Sequence, residues 1–347
     1  MSTDSLVTGP AVGLNHGATT ESPNEAQGLV VRKSQGAYTV RAAEGLVQCS
    51  LSNRLRKDLI YPTAAPTSLR HRVQKVKGIG EQDPVAIGDL VEFTPSGPGA
   101  GHITGVLPRR NALSRPAAGS KRLEQVIVAN VDQVVAVFAV ARPAPKWELL
   151  DRYVVAAEAA GIPTLVAVTK LDLADGDDAE CLAEEMHAYE RLGYRVIPTS
   201  TVTGAGLDEF RAALAGAVSV FVGKSGVGKT SLLNALEPGL GLRVKAVSAL
   251  TEKGRHSTTH LEMFDLAAGG HVVDTPGMRE FGLWELDDLD LARGFVEMRP
   301  FLGQCRFRLD CRHAEEPGCA VRQAVNASYI SPRRYQSYLR LSAEAQP

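Results

Sequence analysis

The sequence predicts a multidomain α/β protein, with a small β-barrel in front, an open and mostly parallel sheet in the middle, and a metal-binding helical module behind. Three observations carry that expectation. Residues 28–110 hold short alternating runs punctuated by Gly and Pro. From residue 123, apolar strand-length runs alternate with helix-period segments. Three of the five cysteines fall within fifteen residues of one another and share that stretch with a histidine. At 347 residues, 44% apolar and 22% charged, the chain has an ordinary globular composition and enough length for two or three cores.

Residues 1–27 contain Asp4, Glu21 and Glu25, no Lys or Arg, and no apolar stretch of leader length. They read as a disordered tail. No run approaches the ~20 apolar residues needed to span a bilayer. The expected location is therefore the cytoplasm, with no membrane partner. The runs 28–32, 37–41, 46–51, 89–93 and 102–107 alternate as half-buried strands do. Five short strands in this span suggest an OB-fold barrel over 28–110, with the basic stretch 69–77 as an inserted loop. Residues 111–122, rich in Ala, Ser and basic groups, read as a linker.

The middle domain is expected over 123–290. Residues 134–141 are apolar enough for a strand covered on both faces. A helix over 147–160 follows, with apolar Leu149, Leu150, Tyr153, Val154 and Ala157 at helical spacing. Then come strand 164–168, helix 179–192, strand 195–198, helix 207–214 and strand 218–222. The last strand runs into Gly223-Lys224-Ser225-Gly226-Val227-Gly228-Lys229-Thr230, which fits G-x-x-x-x-G-K-[ST] at every fixed position, and a helix opens from Ser231. Glycines let successive N–H groups face phosphates, and the helix N-terminus adds its dipole. Lys229 would place a charge on the β- and γ-phosphates, and the Thr230 hydroxyl would bind Mg²⁺. Downstream, Asp274-Thr275-Pro276-Gly277 ends a strand. Asp274 could hold Mg²⁺ through water, and the Gly277 N–H could bond the γ-phosphate.

The base is read by Thr169-Lys170-Leu171-Asp172, after strand 164–168. A carboxylate at Asp172 can accept both the N1–H and the N2 amino group of guanine, a donor pair adenine lacks. The Lys170 stem would cover the base face. A second post-strand segment, Thr199-Ser200-Thr201, could offer a backbone N–H to the guanine O6.

These motifs resemble those of the translation-factor class of GTPases in a rearranged order. There the phosphate loop comes first, whereas here the base-reading segments precede it, as in a circular permutation. A permuted P-loop GTPase domain behind an OB-fold barrel and ahead of a Cys/His cluster resembles the bacterial ribosome small-subunit-dependent GTPase A family. Segments 108–115, 125–132, 223–230 and 254–259 carry the resemblance together with the cysteine cluster. It covers residues 28–342 and implies a GTPase that binds the 30S ribosomal subunit late in its maturation, stimulated by the subunit. The implied partners are 16S rRNA, GTP and GDP, with other assembly factors alongside, for a monomeric protein. Thr169 stands where Asn is typical, Thr201 where Ala is usual, and Ser257 where Thr is more frequent.

By position, residues 244–259 look like switch I, ending in Gly254-Arg255-His256-Ser257-Thr258-Thr259. One hydroxyl, of Thr258 or Thr259, would complete the Mg²⁺ shell. Met278 follows Gly277 where many GTPases place a water-orienting Gln. Methionine cannot do that work, so another group must. His256 is the nearest candidate in sequence, although packing within its loop or contact with RNA would also account for it. Lys229, Thr259 and His256 are the expected catalytic residues.

Cys305, Cys311, His313 and Cys319 suit one tetrahedral structural Zn²⁺ in a C-terminal domain over 291–347. Five residues separate the first two cysteines where four are usual, so the Cys305 loop must bulge. Arg306, Arg308 and Arg312 thread the cluster, and residues 331–340 read as a basic, aromatic helix facing RNA. Charge divides the same way: the net −1 resolves into +9 over 28–122, −11 over 123–298 and +4 over 299–347, after a −3 tail. Two other function classes fit parts of this pattern. An RNA-binding scaffold with a mainly structural GTP site would show negligible turnover with 30S subunits. A P-loop ATPase or kinase would prefer ATP, against Asp172.

Overall fold

The computed structural model describes residues 25–34, 36–55, 84–116, 124–240, 261–274 and 287–345. The expected insert at 69–77, the switch I loop at 244–259 and nearly all of the expected tail lie outside them.

Strands β1 (Ala26–Ser34), β2 (Ala37–Ala42), β3 (Gly45–Leu51), β4 (Leu90–Gly97) and β5 (Ala100–Val106) close in the order β1-β2-β3-β5-β4, with β4 returning to β1. All pairs are antiparallel except β3 with β5. Alternation sends Val30, Tyr38, Val40, Val91, Phe93 and Ile103 into one core. A bulge on β1 between Val30 and Arg32 bends that strand around two neighbours. Closure leaves the barrel no free edge of its own.

Strands β6 (Ala112–Pro116) and β7 (Glu124–Ala129) then form an antiparallel ribbon. The stretch expected as a linker therefore begins as a strand. Its composition gives no strand signal; long-range contacts hold it straight. Leu113 is buried, and the Asn111 side chain exchanges two 2.8 Å hydrogen bonds with the Val131 backbone.

The middle sheet comprises β8 (Gln133–Ala139), β9 (Thr164–Thr169), β10 (Arg195–Pro198), β11 (Val218–Val222), β12 (Leu261–Asp265) and β13 (His271–Asp274), in the order β10-β9-β8-β11-β13-β12. Only β12 runs antiparallel. Helices α1 (Trp147–Ala159) and α2 (Gly176–Arg191) cover one face, meeting Val134, Ala136 and Phe138 of β8. Helices α3 (Leu207–Leu214) and α4 (Lys229–Leu236) cover the other, meeting Val135, Val137 and Ala139. Burial on both faces is why β8 reads as an unbroken apolar run. The chain winds outward from β8 to β10, then returns to β11 on the other side of β8. Loops leaving β8 and β11 diverge at this switch point, which opens a crevice at the strands' carboxyl ends.

The barrel joins the sheet at its antiparallel edge. β1 pairs with β12 at Arg32↔Glu262 and Lys33↔Leu261, and Arg41 grips Asp265 with two hydrogen bonds of 2.9 and 2.7 Å.

Behind α5 (Asp288–Gly294), a 3-10 turn and the cysteine loop lead to α6 (Ala320–Asn326) and α7 (Pro332–Ala345). Their core, with Phe295, Met298 and Tyr338, takes in Val155 of α1. Gly294 permits that approach, since a Cβ there would lie 2.6 Å from Val155 Cγ1.

Helix α7 corrects an expectation. Arg334 is 1% exposed, and Arg333 and Arg334 both point into the interface with the sheet domain rather than toward an external ligand. Their guanidinium groups meet on buried Asp151 of α1, at 2.8 and 2.5 Å. Arg334 also grips Glu297, Arg333 reaches Glu185 at 3.0 Å, and the Tyr189 hydroxyl donates to Asp151 at 2.6 Å. Tyr335 and Tyr338 are likewise buried. Nothing in the spacing of residues 331–340 distinguishes arginines meant for phosphate from arginines meant for an acid on another helix.

Candidate nucleotide site and metal centre

The phosphate loop leaves β11 at the switch point. Gly223, Gly226 and Gly228 take φ of +151°, +85° and +99°. At Gly223 a Cβ would lie 2.5 Å from the Val137 carbonyl oxygen of β8, so only glycine lets the loop pass this close over the sheet. Lys229 opens α4, and its ammonium arches back to donate to the Gly223 and Lys224 carbonyls at 2.6 and 3.1 Å. Thr230 and Ser231 follow in the first turn, where helix N–H groups have no intrahelical partner.

Thr169, the last residue of β9, is 3% exposed, and its hydroxyl donates to the Val227 carbonyl of the phosphate loop. This bond ties the segment after β9, expected to read the base, to the loop. Lys170 takes the left-handed conformation (φ +61°) and donates to the Gly226 carbonyl at 2.8 Å and to the Arg142 carbonyl. Burial lowers its ammonium pKa, and Asp172 partly offsets this. Leu171 N–H bonds the Thr199 carbonyl at 3.1 Å, and the Ser200 hydroxyl donates to Asp172 Oδ1 at 2.5 Å. The same hydroxyl accepts from the Val202 and Thr203 N–H groups, at 3.2 Å each. Ser200 is buried and Thr201 exposed. Three loops from three strands therefore meet, with one Asp172 oxygen held and its ribbon of backbone fixed. Asp274 ends β13 in register with Phe221 of β11. Its side chain, Gly277, Met278, His256, Ser257, Thr258 and Thr259 lie outside the described residues.

Far along the chain, one ligand atom each from Cys305, Cys311, His313 and Cys319 lies within 4.8 Å of the others, and all four residues are buried. Cys305 Sγ and Cys319 Sγ lie 3.4 and 3.5 Å from His313 Nδ1, and 3.9 Å from each other. Such spacings suit the edges of a tetrahedron with metal–ligand bonds of ~2.0–2.3 Å. Between Cys305 and Cys311 the chain makes a 3-10 turn, Arg308–Asp310, with Arg308 at φ +50°. Burial pushes the Cys311 thiol up to about 12, also raises Cys319, and lowers the His313 imidazole. With protein alone around them these groups stay neutral; a divalent cation would draw off the thiol protons. Tyr335 and Tyr338 hydroxyls donate to the His313 and Arg312 carbonyls at 2.6 and 2.8 Å, so α7 supports the cluster from outside. The cluster can hold a metal ion. Arg306, Arg308 and Arg312 around it are exposed.

Sequence reasoning missed Asp151, the hinge of the interface. Its one signal is a charge seated inside the apolar stripe of Leu150, Tyr153 and Val154.

The family model described as RsgA GTPase matches residues 106–284. A small ribosomal subunit biogenesis GTPase RsgA from Pseudomonas aeruginosa is 47% identical over 256 residues, 74% of either chain. A protein of the same name from Hahella chejuensis is 40% identical over 303 residues, 87% of this chain and 84% of its own. Among solved structures, YjeQ from Thermotoga maritima superposes with a TM-score of 0.68 at 33% identity, covering 92% of this chain and 98% of its own. YloQ, a circularly permuted GTPase, gives 0.67 at 27% identity, covering 95% and 98%.

Proposed function

This chain belongs to the RsgA GTPase family, and from that premise we propose that it hydrolyses GTP while assisting biogenesis of the small ribosomal subunit, like the relatives that carry that name. The observation that carries the reading is the junction of Thr169, Lys170, Asp172 and Ser200 with the phosphate loop, made by loops of β9, β10 and β11. Asp172 accepts the guanine N1–H and N2 amino protons, Lys170 lies along the base, and backbone after Ser200 meets O6. Lys224 through Gly228 wrap the phosphates, with Lys229 as the charge on the β- and γ-groups. Thr230 and Asp274 would hold Mg²⁺, with Thr258 or Thr259, and the ion would neutralise charge developing on the phosphates. Thr230 in the first helical turn and Asp274 at the end of the neighbouring strand fit that task. Gly277 would bond the γ-phosphate, and His256 would orient the attacking water in place of a glutamine.

The Cys₃His donor set, buried and closed, fits structural Zn²⁺ best. The domain boundaries we assign are 28–110, 123–290 and 291–347. Contact with 16S rRNA falls to the basic barrel and to the arginines around the cysteine loop. The working state is a monomer in the cytoplasm; among the described residues no helix is long and apolar enough to cross a membrane.

The test is GTP turnover with purified 30S, 50S and 70S particles at stated salt, because phosphate-driven binding is salt-dependent. Stimulation by 30S alone is expected; equal rates with all three, or with none, would refute the reading. His256→Ala should remove the stimulated turnover, about a hundred-fold or more, while GTP binding survives. Unchanged turnover would sink its catalytic role. Metal analysis should find one zinc per chain, lost in Cys305→Ser together with several kcal/mol of stability in the C-terminal module. Full zinc in that variant would remove Cys305 from the set.

A further inference from the structure

We propose that the cleft between α1 and α7, walled on its third side by the phosphate loop, binds a small amphipathic anion. The cavity measures about 430 Å³, within the range of small-molecule sites, and domain boundaries are where such sites concentrate. Leu149 and Tyr153 of α1 and Leu341 of α7 give it an apolar floor, and Pro143 and Val227 line a smaller recess adjoining it.

Its charged groups are unevenly matched. Four cations, Lys146, Arg152, Lys224 and Arg340, face two carboxylates, Glu148 and Glu344. Each carboxylate is taken by an arginine from the opposite wall, Glu148 by Arg340 and Glu344 by Arg152. Among the described residues, neither Lys146 nor Lys224 forms an ion pair. Lys224 belongs to the phosphate loop and is shared with the nucleotide, so Lys146 is the cation of the lining left uncompensated beside the apolar floor. A second feature points the same way. Ser337 is 1% exposed, lines the cavity, and its hydroxyl has no hydrogen-bond partner among the described residues. A buried hydroxyl left unpaired is costly, and a ligand head group would satisfy it. The complementary molecule has one anionic head, carboxylate or phosphate, and a compact apolar body.

This site is separate from the base-reading junction. Its third wall is Lys224 and Ser225 of the phosphate loop, so an occupant touches both that loop and the helix whose tyrosines support the cysteine cluster. Any preference of the ligand for one nucleotide state must be matched by an equal preference in the reverse direction.

The test uses the full chain saturated with GDP and Mg²⁺, so that the nucleotide site is filled, and anilinonaphthalene sulfonate as fluorescent probe. Wild-type protein should give a saturable one-site titration. Ser337→Leu, which fills the cavity, should weaken the probe about ten-fold, ~1.4 kcal/mol. Lys146→Gln should weaken it several-fold, with GDP affinity unchanged in both variants. If Ser337→Leu fails to fold, Lys146→Gln, an exposed position, decides alone. Competition by naphthoate or by naphthyl phosphate identifies the head group. A titration that does not saturate, a dissociation constant unmoved by the variants, or displacement by neither competitor would overturn the proposal.

Discussion

Lys229→Ala should abolish GTP turnover, lowering kcat/KM by about a thousand-fold, ~4 kcal/mol, in the presence of stimulating subunits. Two losses combine. The ammonium, half-buried, is the point charge proposed for the phosphates. It also spans its own loop, donating to the Gly223 and Lys224 carbonyls, so its removal frees the two ends of the turn. GDP affinity should therefore fall along with hydrolysis. Titration with a fluorescent GDP analogue reads the first effect, and phosphate release reads the second. Turnover within ten-fold of wild type would show that the loop works without this charge.

Asp151→Ala should cost about 3–5 kcal/mol and detach the C-terminal module from the sheet domain before either unfolds. The carboxylate is fully buried and is shared by two guanidinium groups and a phenol. Removing it leaves Arg334, 1% exposed, with Glu297 alone, and Arg333 with Glu185. The pair also stacks on aromatic rings: Arg333 over Trp147 and Tyr189 at 5.6 Å, Arg334 over Phe295 at 5.1 Å. Those contacts hold the arginines in place and so prevent them from escaping to water. Asp151→Asn keeps acceptor geometry without the charge and should lose less. Denaturant unfolding followed by tryptophan fluorescence and by zinc release would separate the two transitions. A single unshifted transition in Asp151→Ala would show that the buried network contributes nothing net.

The parts of the site legible in the sequence were those built from neighbouring residues. The phosphate loop needs its glycines and lysine at fixed spacing because one turn of backbone makes the whole cradle. The cysteine cluster is equally local, and even its unusual spacing was legible, although the 3-10 turn between its first two cysteines was not. Thr169 shows the limit. Its departure from Asn was visible, but its bond to the Val227 carbonyl joins residues 58 positions apart. The strand at Ala112–Pro116 was missed because its stability comes from β7 and Asn111 rather than from its own apolar pattern.

By itself, then, the sequence determined the barrel-sheet-metal order, the permuted sequence of motifs and the identity of the chemical groups, because periodicity and short motifs encode local geometry directly. Tertiary structure decided which surfaces those groups face. The same basic helix at residues 331–340 could have bound RNA; buried Asp151 on α1, with Glu297 and Glu185, turned Arg333 and Arg334 inward. Charge in a sequence has no direction until folding supplies its counter-ion, and Asp151 lay some 180 residues away.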